Sequence, residues 1–260
     1  MNSLPRDAQG VYKAEMTGPM MGYFTFAYDL FTVQDKGRFD ARLIERLKNC
    51  DQFQAARHER FAEATRLRAG FSIEHENETD RSTRHAELTA THKTTGQTVS
   101  VEAKSKHRSG ILGLPGIRQA KGEHKPNEGR FLNDAIQKNN PHPLVVFFDL
   151  NLPCLTSSRL LERIPPHPVI QGTLDKMRRS HSGRDPINLL VVTNHPEHYS
   201  ADEEAARSPQ ILNIQTQLPV KPDARPDALM AIRQAANVYG RIPQFFDGRP
   251  PAGVNSGTNG

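Results

Sequence analysis

Two uninterrupted apolar runs constrain this chain more than any other feature. Leu144 to Phe148 reads LVVFF, and INLLVVTN at 187–194 holds a second such run. A strand with one face in water alternates apolar and polar side chains, whereas a strand covered on both faces does not. The runs predict buried strands within 143–153 and 187–194, in a mixed sheet with both faces covered: an α/β architecture.

Three alternating runs precede them: FSIEHE (71–76), HAELTATHK (85–93) and QTVSVEAKSK (97–106). The last two flank Thr95 and Gly96, which suit a tight hairpin turn. Helical spacing is read over 40–49 (DARLIERLKN), over 52–69 up to Gly70, over 131–139 and over 226–240. The Gly- and Lys-rich stretch 107–130 reads as a loop. Residues 1–37 are expected to be an N-terminal extension with one short strand at 23–28, residues 38–245 the folded domain, and 246–260 a disordered tail.

Side chains two apart on a strand share a face. Ser100, Glu102 and Lys104 therefore point one way while Val99, Val101 and Ala103 face the core. The preceding strand sends Ala86, Leu88 and Ala90 inward and leaves Glu87, Thr89 and Thr91 on the other side. A two-residue turn at Thr95 and Gly96 pairs Glu87 with Lys104 and Thr89 with Glu102, which sets the two glutamates diagonally on one face. Neighbouring carboxylates repel unless a cation neutralises them, and a hard divalent ion with oxygen ligands, Mg²⁺ or Mn²⁺, does so. With a lysine beside it to orient a water, such a group is equipped to hydrolyse a phosphodiester.

Glu87, fourteen intervening residues, and then Glu102-Ala103-Lys104 on a following strand resemble the PD-(D/E)xK nuclease superfamily. An acidic helix before the hairpin, and a helix and strand after it, resemble the core of that superfamily over roughly residues 52–150. The resemblance implies a restriction-endonuclease-like fold with a central mixed sheet flanked by helices. It also implies a magnesium-dependent nuclease, most naturally a DNA endonuclease, with Glu87 and Glu102 as metal ligands and Lys104 as the group that positions water. Glu59, or Glu63 one turn later, would be the helix acid and a further ligand; Glu59 lies farther from the glycine end. The chain departs from the family in lacking the Pro-Asp pair and in carrying Glu where Asp is usual. Asp80 is an alternative first acid, outside the alternating run. Homodimers are frequent in that family, because cutting two strands needs two sites.

A net charge of +5 and a pI near 9.3 favour an anionic partner such as nucleic acid. Lys106, Arg108, Arg118 and Lys121 are the expected backbone-gripping residues, although a charge run in a Gly-rich stretch is equally read as a solvated loop. The alternative function is a nuclease-like domain that no longer cuts and serves as a nucleic-acid-binding or protein-interaction module. A third reading is a structural part of a larger assembly.

Two cysteines, Cys50 and Cys154, lack ligand spacing and argue against a zinc module or a disulfide framework. No apolar run reaches the roughly 18 residues that span a bilayer, and the N-terminus lacks the order of a secretory signal, so a cytoplasmic protein is expected. His195 and His198 stand three apart around Glu197, but Pro196 excludes a continuing helix, and the pair reads as structural rather than as a metal site. Ser157 and Ser158 lack a nucleophile-elbow context, and GILGLPG (110–116) lacks the Lys-Ser/Thr of a phosphate loop.

Overall fold

The computed structural model describes residues 17–36, 41–75, 88–106, 128–138, 141–151, 168–195, 210–215 and 224–238, with Ala8, Pro219 and Lys221 as single positions. Six strands form one sheet in chain order: β1 (Phe71–His75), β2 (Leu88–His92), β3 (Thr98–Ser105), β4 (Leu144–Asp149), β5 (Leu189–Asn194) and β6 (Gln210–Gln215). The β1–β2 and β2–β3 pairs are antiparallel, β3–β4 and β4–β5 parallel, and β5–β6 antiparallel. Helices α1 (Gly18–Lys36), α2 (Ala41–Lys48) and α3 (Phe53–Arg68) precede the sheet. Helix α4 (Glu128–Ile136) connects β3 to β4, α5 (Pro168–Ser180) connects β4 to β5, and α6 (Pro226–Asn237) follows β6. Parallel neighbours need a crossover, and helices supply it here. The expected α/β architecture is the one observed.

Both faces of the sheet are covered, each by its own core. On one side Val99, Val101, Val145, Phe147, Leu189 and Val191 pack against Phe61 and Ala62 of α3 and against Leu229 and Ile232 of α6. On the other, Leu144, Val146, Phe148, Leu190 and Val192 pack against Leu132 and Ala135 of α4 and against Ile170, Leu174 and Met177 of α5. Every residue of β4 and β5 is buried, which is why these segments carry no polar alternation.

Helix α3 is interior although it is strongly polar. Its buried residues include Gln54, Arg57, His58, Arg60, Glu63 and Arg66, because the sheet flanks one side and α1, α2 and α6 flank the others. Such groups are tolerated inside only when they are neutralised. Glu59 accepts two bonds from Arg46, each 2.6 Å, Arg60 pairs with Glu63, and Arg68 reaches Asp29 of α1 at 2.9 Å. The Arg66 guanidinium lies over the Phe147 ring, 5.3 Å from its centroid.

Three expectations need correction. The strand expected at 23–28 is part of α1, a helix of 19 residues that packs along α3. Its buried stripe is Gly18, Gly22, Thr25, Asp29, Thr32 and Val33, small or polar residues at helical spacing, while the large Tyr23, Phe24 and Phe31 face outward. An apolar period could not reveal it. Second, the hairpin is not closed by two residues: His92 N–H donates to Gln97 O at 2.8 Å, and Gly96, at φ +70°, sits in the connection. The register accordingly moves by two, with Thr89 opposite Ser100 and Leu88 opposite Val101, rather than Thr89 opposite Glu102. Third, α5 and β6 were not expected. The tail at 246–260 and residues 107–127 of the expected loop lie outside the described residues, whereas 128–130, expected to end that loop, form the first turn of α4.

Candidate functional site

Glu102 occupies the face of β3 predicted for it, but that face is not solvated. Its register partner is Val146, so its side chain enters the layer covered by α4 and α5, and the residue is fully buried. A buried carboxylate needs counter-charge. Lys104 supplies one ammonium from the same strand, with Nζ 2.9 Å from Oε2. Lys138, two residues beyond the end of α4, supplies a second at 2.8 Å from the same oxygen. Both lysines keep about a fifth of their side-chain surface exposed, 18% and 21%, so the cluster reaches the surface through its cations. Two ammonium groups thus converge on one carboxylate oxygen.

The other predicted residues are distributed differently. Glu59 and Glu63 belong to α3, which packs on the opposite face of the sheet from Glu102, and each is held by an arginine, Arg46 and Arg60. The structure therefore does not bring the helix acid to Glu102. The reason lies in parity: α3 packs against Val99 and Val101, and Glu102 points the other way. Lys106 follows β3, donating its N–H to the Asp149 carbonyl at 3.1 Å and accepting from Asn151 Nδ2 at 2.7 Å. Glu87, Arg108, Arg118 and Lys121 lie outside the described residues.

A second polar cluster, with no forecast in the sequence, sits beneath α3 at the C-terminal ends of β4 and β5. Asp149 ends β4 and is fully buried. Its Oδ2 accepts from Arg57 Nη2 at 2.8 Å and from Ser105 at 3.4 Å, and its Oδ1 accepts from Thr193 at 3.1 Å. His58 on α3 and His195 just after β5 are buried beside it, and one ligand atom from each of the three lies within 4.8 Å of the others. Asn151, at φ 53°, extends the network by donating to Gln54 Oε1 at 2.6 Å. Phe61 orders both imidazoles, stacking on His58 at 5.7 Å and meeting His195 edge-on at 5.0 Å.

The electrostatics follow from this burial. Burial lowers the His58 pKa from 6.5 to about 4; Asp149 opposes the shift, while Arg57 and His195 reinforce it. His58 is thus a neutral imidazole at neutral pH. Burial alone would raise the Asp149 carboxyl, yet Arg57, with His58, His195 and Thr193, holds it below its ordinary value. His195 reads as structural when set only against its sequence neighbour His198. Its partners come from α3 and β4, far away along the chain, and no spacing rule connects them.

Among the described residues no helix is long and apolar enough to cross a membrane. Comparisons with protein-family models, with curated proteins and with solved structures find no match to this chain.

Proposed function

We propose that the protein is a metal-dependent nuclease that hydrolyses phosphodiester bonds, with DNA as its substrate. The observation that carries this reading is the bonding of one buried carboxylate oxygen of Glu102 by two lysines, Lys104 and Lys138. Both ammonium groups are partly exposed, and cations at a surface attract a phosphate. The order α3, β1, β2, β3, α4, β4, with β3 and β4 parallel, agrees with the resemblance drawn from Glu87, Glu102 and Lys104.

The carboxylate of Glu102 suits a hard, oxygen-seeking ion such as Mg²⁺ or Mn²⁺, and Glu87 is proposed as its second ligand. A bound ion of that kind would stabilise charge on a phosphoryl oxygen and acidify a water. Lys104, once its hold on Glu102 is relaxed, donates to the attacking water and orients it. Lys138 gives the Glu102 carboxylate a second counter-charge and attracts the phosphate. The test is incubation of supercoiled plasmid with Mg²⁺ or Mn²⁺, comparing wild type with Lys104→Ala and Glu102→Gln. Wild type is expected to cut and both variants to fail. No cutting by wild type overturns the reading, and equal cutting by Lys104→Ala removes that lysine from the mechanism.

The complete burial of Glu102 between two lysines favours one other reading, a nuclease-like module that binds nucleic acid without cutting it. Affinity that falls steeply with salt, with no cleavage in either metal, selects it.

A further inference from the structure

We propose that His58, Asp149 and His195 form a second metal site, separate from the Glu102 cluster and on the opposite face of the sheet, selective for a zinc-class transition ion. The three residues come from α3, the end of β4 and the first position after β5, and all are buried. One donor atom of each lies within 4.8 Å of the other two. An ion with bonds of about 2.1 Å draws its donors to within roughly 3.5 Å of one another, so the rings need to close by about an ångström.

An independent observation points the same way. His58 is almost wholly buried, yet among the described residues neither ring nitrogen makes a hydrogen bond of good geometry, although the Phe147 carbonyl lies near. A buried imidazole in that condition forfeits solvation on both nitrogens, and a metal bond restores it.

The donor chemistry selects the ion. Two imidazoles and one carboxylate suit zinc, cobalt, nickel or ferrous iron, whereas magnesium and calcium seek oxygen. Arg57 strengthens that choice: its guanidinium already neutralises Asp149, so affinity has to come from the nitrogens. Among the described residues Oδ2 of Asp149 accepts from Arg57 and Ser105 and Oδ1 from Thr193, and each oxygen has two lone-pair positions, so Oδ1 is the oxygen that would take an ion beside its Thr193 bond. The bound ion would tie α3 to the ends of two parallel strands.

The experiment uses the full chain, stripped with a chelator and titrated with Co²⁺ and Zn²⁺. One equivalent of Co²⁺ giving visible d–d absorption, displaced by Zn²⁺ but not by excess Mg²⁺, is expected. His195→Gln and His58→Gln are expected to weaken uptake at least tenfold, while Glu102→Gln leaves it unchanged. Uptake of no ion by folded wild type overturns the proposal. So does uptake equal in both histidine variants, which assigns it to surface histidines. If the variants do not fold, nitrogen hyperfine structure in the EPR spectrum of wild type with one equivalent of Cu²⁺ decides. Two coordinated imidazoles support the site, and fewer overturn it. None of these readouts depends on nuclease activity.

Discussion

Arg57 Nη2 stands 2.8 Å from Asp149 Oδ2, with both side chains essentially excluded from solvent. The pair bolts α3 to the end of β4 across ninety-two residues of chain. Removing one partner strands the other charge in the interior. Asp149→Ala is therefore expected to lower unfolding free energy by roughly 3–5 kcal/mol, and the Arg57→Met/Asp149→Leu double variant to recover most of that loss. Urea denaturation of the three variants measures both. An Asp149→Ala loss below about 1 kcal/mol contradicts the pairing.

Lys138 separates binding from folding. It is part exposed, and Glu102 keeps Lys104 without it, so Lys138→Ala is expected to change stability by less than about 1 kcal/mol. Its loss from a phosphate-attracting cluster should weaken DNA binding about tenfold, the equivalent of one charge-assisted hydrogen bond. Filter binding at fixed salt reads the affinity, and thermal melting reads the stability. Equal DNA affinity in variant and wild type removes Lys138 from the site.

Acid should destabilise the metal-free fold before carboxylates titrate. The unfolded chain protonates His58 near pH 6.5, whereas the folded chain does so only at about 4. Between these values the unfolded state holds the extra proton, so stability is complete above pH 6.5 and falls as pH drops towards 4. The shift corresponds to a loss on the order of 3 kcal/mol. Denaturant midpoints at pH 7 and pH 5 should differ in wild type and converge in His58→Gln. A midpoint flat from pH 7 to 4.5 in wild type contradicts the buried neutral imidazole.

Gly96 isolates a backbone effect. It holds φ +70°, and a Cβ there would meet nothing within 4 Å. Gly96→Ala thus carries conformational strain without a clash, with an expected cost of about 1 kcal/mol, and Gly96→Asn a smaller one. Chemical denaturation of both variants checks the ranking.

The layered fold was legible because its strongest signals were physical necessities. LVVFF and NLLVV cannot be half-solvated strands, and Gly70 closes α3 at φ +84°. The hairpin illustrates a useful asymmetry: its register slipped by two, and a slip of two, unlike a slip of one, preserves which side each residue faces. Glu102 and Lys104 therefore kept their common side despite the wrong neighbours. What stayed hidden has equally definite causes. Helix α1 buries glycine and threonine instead of leucine, and β6 (QILNIQ) has only weak alternation. The cluster of His58, Asp149 and His195 is a product of tertiary structure alone, because its members share no segment.

The sheet itself acts as a partition. Glu102 and Asp149 lie on neighbouring parallel strands but project to opposite sides of a wall of aliphatic and aromatic side chains. Lysines hold one, and Arg57, Ser105 and Thr193 hold the other. Perturbations on the two sides should hence be thermodynamically independent, their free-energy costs summing to within about 0.5 kcal/mol. One chamber can be rewritten while the other goes on working.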